Sequence, residues 1–440
     1  MKKRIVLLVF VLCTALIFSG CTMRTIEEMY RLPKRSETDS NLQSAIEDAM
    51  SGLSYSAPIS GENQQTVQLA DLDGDGISEY ILFARSDSDK TMRILVFKKD
   101  GEHFSLAYEI PSHGSAFEQV EYADIDGASG LELLVGRQVS EQILKSLSVY
   151  SFAGGTPQQL LTANYFKFLT CDLNQDQKTE IMLIRPGHTE ADRGVAVLYS
   201  FENGELARTR EAELSASADS VRRIMVSRLY GGEPAVYVAG AVYESAVMTD
   251  IFALKNGKFT NISLSSESGT SVQTMRNYYV YADDMDGDGG LELPDLITMN
   301  SIVTSTSSQK QYLIRWYSMD IQGSEHTKCY TFHNFLGGWY MELGSAWAEW
   351  ASVVQSDGCF WFYVWDRDYQ NATLLFSVRA YTGANREEAA LADNQFVLYR
   401  AEGIIYSARL EIGAVDYEIT QENLIPCFHL IHQDWKTGET

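Results

Sequence analysis

Asp71-Leu72-Asp73-Gly74-Asp75-Gly76-Ile77-Ser78-Glu79 returns almost unchanged as Asp284-Met285-Asp286-Gly287-Asp288-Gly289-Gly290-Leu291-Glu292. Two weaker copies lie between them. Asp124-Ile125-Asp126-Gly127-Ala128-Ser129-Gly130-Leu131-Glu132 loses its third acid to Ala128, while Asp172-Leu173-Asn174-Gln175-Asp176-Gln177-Lys178-Thr179-Glu180 keeps every ligand position and loses the glycines. Acids at alternate positions crowd like charges within a few ångströms, which is unfavourable unless a cation sits among them. A single copy reads equally well as an Asp-Gly hairpin turn; four copies in register are a repeat.

Calcium is the cation that fits. It is a hard ion taking six to eight oxygens in flexible geometry, whereas magnesium demands a tighter octahedron and keeps more of its water. The candidate ligands are Asp71, Asp73, Asp75, the backbone carbonyl of Ile77, and Glu79 in the first loop; Asp124, Asp126 and Glu132 in the second; Asp172, Asn174, Asp176 and Glu180 in the third; and Asp284, Asp286, Asp288 and Glu292 in the last. An EF-hand is the rival, but its bidentate Glu stands at position 12 between helices. Here position 12 is Leu82, Val135 and Leu183, and only the last copy offers an acid, Asp295. The runs after the first three loops, such as Tyr80-Ile81-Leu82-Phe83, are short, apolar and β-rich, so each loop is expected to join two strands.

The first acids are spaced by 53, 48 and 112 residues, and the last interval is two repeats long. Its middle, residues 226–238, has a strand-turn-strand shape without the acids. Glycine turns such as Asn203-Gly204 and Asn256-Gly257 recur after a further apolar run in each unit, as in a hairpin. Four antiparallel strands per fifty-residue repeat is the size of a propeller blade. These residues resemble the FG-GAP and VCBS repeats of integrin-type β-propellers, whose acidic loop lies between the first two strands of a blade and binds structural calcium. The resemblance spans residues 64–325 and carries no catalytic residue. Glu instead of Asp at position 9, and the acids missing from the second and fourth units, depart from the family pattern.

The expectation is therefore an all-β chain, a β-propeller of six or seven four-stranded blades with seven preferred. Residues 64–325 would give five blades, and the Trp-rich residues 326–440 the last one or two, or a separate β domain. All seven tryptophans lie from Trp316 onward, as blade packing or as a sugar-stacking surface. Residues 1–20 read as a secretory signal, with Lys2, Lys3 and Arg4 before an apolar stretch. Ser19-Gly20-Cys21 resembles a bacterial lipobox, making Cys21 the lipidation site and anchoring the chain to the outer face of the membrane. Residues 21–63 would hold the tether and one amphipathic helix, starting at a capping box at Ser40 and carrying Leu42, Ile46, Ala49 and Leu53 on one face.

The formal charge is −24, which disfavours nucleic acid and suits cations. Cys171, Cys329, Cys359 and Cys427 permit two disulfides or four free thiols. His429, His432 and Asp434 could meet on one helical turn, and Asp366 with Asp368 could open another loop, but neither set forms a recognisable site and Asp366 reads as a turn. The function expected is a monomeric, surface-anchored binding or adhesion module for a glycan or protein ligand, without enzymatic activity. The alternatives are a propeller-based polysaccharide lyase or hydrolase, or a scaffold of an envelope assembly.

Overall fold

The computed structural model describes residues 37–101, 103–139, 145–187, 193–242, 246–277, 280–299, 311–367 and 370–431. The signal, the tether and Cys21 lie outside them, as do His432, Asp434 and Asp368. The chain divides into two units. One runs as far as Ala57 and adds Gln65–Ala70 and Ile77–Ser112; the other comprises Pro58–Gln64, Asp71–Gly76 and the chain from His113 onward.

The first unit holds helix α1 (Glu37–Ala49) and a five-stranded sheet of β1 (Leu53–Tyr55), β2 (Val67–Ala70), β3 (Glu79–Ser86), β4 (Met92–Asp100) and β5 (His103–Ser112). Ala45, Ile46 and Ala49 of α1, with Met50 and Leu53, pack on Leu82, Ala84, Leu95 and Phe97. The apolar stripe read from the sequence therefore covers its own sheet. The helix begins three residues before Ser40, so the capping box is not its start.

In the second unit the strands run as successive antiparallel meanders. The second sheet is β6 (Ala116–Ala123), β7 (Glu132–Gln138), β8 (Lys145–Ser151) and β9 (Gln158–Tyr165). The third is β10 (Lys167–Cys171), β11 (Glu180–Pro186), β12 (Gly194–Glu202) and β13 (Glu205–Glu213), and the fourth β14 (Val221–Arg228), β15 (Pro234–Val242), β16 (Ala246–Lys255) and β17 (Lys258–Asn261). The fifth starts with β18 (Leu293–Thr298), β19 (Tyr312–Met319), β20 (Glu325–Asn334) and β21 (Trp339–Leu343). A sixth is built from β22 (Ala351–Ser356), β23 (Cys359–Trp365), β24 (Ala372–Thr382), β25 (Phe396–Ala401) and β26 (Ile404–Leu410), with helices α2 (Arg386–Leu391) and α3 (Gln421–Leu424) in its connections. The chain then returns as β27 (Phe428–Leu430) to pair with β21. The described residues thus form six sheets, and the fold is all-β.

Period-2 alternation explains how these sheets stack. The run Ile181-Met182-Leu183-Ile184 is buried throughout because its two faces serve different neighbours. Ile181 and Leu183 join Leu134, Leu147 and Val149 of the second sheet, while Met182 and Ile184 join Val236, Val238 and Phe252 of the fourth. The fourth sheet repeats the pattern, since Ala235, Tyr237 and Ile251 turn to Leu293, Tyr317 and Met319 of the fifth. Phe332, Trp339 and Met341 then meet Phe360, Phe362 and Phe376 of the sixth, so the clustered aromatics Trp316, Trp339 and Trp347 are core residues. All four cysteines in the described residues are free thiols. His429 stands on β27 rather than on a helix, stacked on Tyr340 with its ring 4.8 Å away, because the strand pairing of Tyr340 with His429 overrides the local helical pattern.

Candidate metal centres

Each acidic nonapeptide leaves one strand and enters the next through the same closing pair. Ala70 faces Glu79, Ala123 faces Glu132, Cys171 faces Glu180, and Asp283 bridges to Glu292. No helix flanks a loop among the described residues, so the EF-hand alternative fails, and Asp295 pairs with Arg315 at 2.9 Å instead of serving the fourth loop.

The loops also share one hydrogen-bond plan. The position-1 carboxylate accepts the position-4 amide through one oxygen: Gly74 to Asp71 at 2.8 Å, Gly127 to Asp124 at 2.7 Å, Gly287 to Asp284 at 2.8 Å. Its other oxygen accepts the position-6 amide in three loops, from Gly76, Gln177 and Gly289, at 2.9, 3.0 and 3.0 Å. The position-3 side chains accept the position-5 amides, as Asp126 does from Ala128 and Asn174 from Asp176, both at 2.7 Å. This plan requires left-handed backbone at positions 4 and 6, where Gly74 and Gly76 have φ of 74° and 86°. The third loop keeps the left-handed backbone and the position-6 and position-3 bonds without glycine, holding Gln175 and Gln177 at φ of 59° and 71°.

Position 9 does more than the sequence pattern suggested. Glu132, Glu180 and Glu292 are buried, and each folds back to accept the position-2 amide: Ile125 at 2.8 Å, Leu173 at 2.9 Å, Met285 at 2.9 Å. Position 2, which the sequence reading passed over, sends Ile125 and Leu173 into the cores between sheets, and so fixes each loop to its sheet. Its signal was an apolar residue between the first and third ligand positions in every copy. Burial raises the carboxyls of Glu132 and Glu292 above the ordinary range and pushes Glu180 up to about 7, with the neighbouring aspartates adding repulsion.

Carboxylate oxygens of Asp124, Asp126 and Glu132 lie within 4.8 Å of one another, as do those of Asp284, Asp286 and Glu292. Two oxygens on one calcium at about 2.4 Å each are separated by at most about 4.8 Å, so these sets fit that ion. Asp75 and Asp288 stand outside these sets. The third loop forms no such set because position 3 is Asn174, whose amide donates to Glu180 at 2.6 Å. Its Asp172 Oδ1 is buried with no hydrogen-bond partner among the described residues. The fourth loop already has a positive charge, since Lys328 Nζ reaches Asp286 at 2.8 Å and also Asp288. That contact holds the Asp288 carboxyl below its ordinary value.

The first three loops are joined in series. The position-8 amide of each later loop donates to the position-1 carbonyl of the one before: Leu131 to Asp71 at 2.9 Å and Thr179 to Asp124 at 2.7 Å. Gly130 is required at this junction, because a Cβ there would lie 2.3 Å from the Leu72 carbonyl oxygen. In the acid-free fourth sheet the corresponding connection is a short turn closed by Leu229 N to Glu233 O at 2.8 Å, and Ser227 Oγ of that sheet donates to Gly289 O of the last loop at 3.2 Å.

No family model matches this chain, and no curated protein does. Among solved structures it is similar to the exotype rhamnogalacturonan lyase YesX, at 14% identity and TM-score 0.32 over 74% of this chain and 65% of that one. A rhamnogalacturonan lyase of Bacillus licheniformis also aligns at 14% identity and TM-score 0.32, over 73% and 72% of the two chains. The β-propeller domain of the Trilobed protease from Pyrococcus furiosus aligns at 13% identity and TM-score 0.29, over 72% and 89%. The superpositions are loose.

Proposed function

We propose that this chain is a calcium-stabilised β-propeller of the FG-GAP/VCBS type, anchored at the cell surface through a lipid on Cys21, that binds a glycan or protein ligand. The observation that carries this reading is the series of acidic loops: four copies share one closing pair, and three are linked carbonyl to amide along one end of successive strand pairs. A calcium in these loops has a structural role. Asp124, Asp126 and Glu132, and Asp284, Asp286 and Glu292 would hold it, with Asp71 and Asp73 in the first loop and Asp172 and Asp176 in the third. By neutralising the carboxylates it fixes the loop rims, which leaves the faces and ends of the sheets as rigid platforms for recognition.

The test is binding by the lipidated, membrane-anchored protein to a glycan array and to candidate surface proteins, with and without chelator. Binding that disappears on chelation and returns with calcium is expected, together with loss of palmitate labelling in Cys21→Ala. Depolymerisation of a polysaccharide by the calcium-loaded protein, or a complete absence of ligands across both panels, would overturn the reading.

A further inference from the structure

A recess of about 760 Å³ in the second unit is lined by no residue of the acidic loops. That volume lies inside the range of roughly 300–1,000 Å³ for small-molecule sites. It is lined by the first strands of three consecutive sheets, which contribute Glu118 from β6, Lys167 from β10 and Arg222 from β14, together with Lys145 at the start of β8. The segment 59–64 closes one side. It is fastened to β6 by Ser60 N to Glu118 O at 2.8 Å, Ser60 Oγ to Glu118 O at 3.0 Å and Asn63 Nδ2 to Val120 O at 3.0 Å.

The charge here is opposite to that of the molecule. In a chain of formal charge −24, three cations from three sheets converge on one recess. Of its lining carboxylates, Glu118 is taken up by Lys145 and by Gln138 Nε2 at 3.0 Å, and Glu62 lies on the exposed segment. Lys167 and Arg222 line the recess and are exposed, and Arg222 donates to the Asp219 carbonyl at 3.0 Å. Lys167 is kept below the ordinary lysine value by desolvation first and then by Lys145 and Arg222, so these charges sense one another. Tyr165 also borders the recess; it is 1% exposed, and its hydroxyl has no hydrogen-bond partner. Half-buried Phe166, with Ser60, Gln64 and Gln119, completes a lining of ring face, amides and hydroxyl.

We infer that this recess binds a short carboxylate-bearing saccharide, its acid groups on Lys167, Arg222 and Lys145 and its ring against Phe166. The cations select the anion, while aromatic surface and neutral hydrogen-bonding groups suit a sugar and would add nothing for a bare ion. The inference rests on the binding-module reading and narrows its ligand to an acidic glycan.

The experiment is calorimetric titration of the full chain in calcium with trimannuronate, neutral mannotriose and inorganic phosphate. Trimannuronate should bind at least tenfold more tightly than mannotriose. The double variant Lys167→Met, Arg222→Met should lose at least tenfold, Lys167→Arg should retain binding, and Glu118→Gln, which frees Lys145, should tighten it. Thermal melts check that each variant is folded. Equal affinity for the neutral trimer, unchanged affinity in the double variant, or phosphate binding as tightly as trimannuronate would each overturn the inference. If other glycans or a protein still bind while trimannuronate does not, this inference falls and the binding-module reading stands; if nothing binds, both fall.

Discussion

At the scale of single residues, the chemistry of each loop is set by one carboxylate that looks inward and by whatever cation faces it. Glu292 is buried, held by Met285 N and by Ser318 Oγ at 2.7 Å, and its cost of ionisation falls when a positive charge comes near. In the fourth loop Lys328 already supplies part of that charge to Asp286 and Asp288. A divalent ion there must displace or share with an ammonium, which the second loop does not require of its ligands among the described contacts. Lys328→Met should therefore tighten terbium or calcium binding at the fourth loop by roughly fivefold, about 1 kcal/mol, a modest gain because Asp286 and Asp288 are partly solvated. Luminescence titration of the variant against its parent measures this, and unchanged or weaker binding would show that the ammonium is not a competitor. The carboxylates that cluster were legible in the sequence because nine contiguous residues contain them, although Asp75 and Asp288, read alongside them, stand outside the sets. Lys328 was not, since it lies 42 residues beyond Asp286 and arrives only through the pairing of β19 with β20. The inward turn of Glu132, Glu180 and Glu292 was hidden for another reason: a carboxylate that binds an ion and one that caps a backbone amide have the same letter in the sequence.

At the scale of elements, strands were legible and their partners less so. Short continuous apolar runs announced β7, β11 and β15, but the division of each run between two neighbouring cores depends on stacking that no local pattern states. The same limit explains the capping box at Ser40 and the helical reading around His429, where local propensity met a longer helix in one case and a strand pairing in the other. The recess lined by Glu118, Lys167 and Arg222 was invisible for this reason, as its charges are about fifty residues apart in the chain. The junction between loops is the element-level contact most open to test. Gly130 faces the Leu72 carbonyl oxygen, with space for hydrogen but not for Cβ, and the obstruction is backbone that cannot rotate away. Gly130→Ala should destabilise the protein by about 1–3 kcal/mol, the usual effect of forcing a methyl into close packing. It should also weaken calcium binding, because the shift disturbs the amide that Leu131 offers to Asp71. Denaturant unfolding in calcium reads the first effect; a variant as stable as its parent would mean that the two loops do not bear on one another.

At the scale of the whole molecule, 59 acidic residues against 35 basic ones make self-repulsion a general term in stability, and the loops concentrate it. Calcium bound as proposed would act against this twice, by mass action on the folded state and by lowering the density of negative charge. One site occupied at a hundred times its dissociation constant adds about 2.7 kcal/mol, so several filled loops together represent a substantial part of the roughly 5–15 kcal/mol that a folded protein commonly holds in reserve. Chelation should therefore lower the melting temperature clearly. The loss should be larger near 0.01 M salt, where screening extends over about 30 Å, than at 0.15 M, where it extends over about 8 Å. Two causes can be separated by the Asp71→Ala, Asp284→Ala variant, which removes the leading carboxylates of both complete loops. If the ion works through these loops, the variant loses less than its parent on chelation, and magnesium restores the parent poorly because it dehydrates reluctantly and wants a tighter shell. If calcium acts only as a diffuse counter-ion, parent and variant fall by the same amount and magnesium serves equally well. Scanning calorimetry of both proteins across the two salt conditions distinguishes these outcomes, and an identical fall in parent and variant would remove the structural role assigned to the acidic loops.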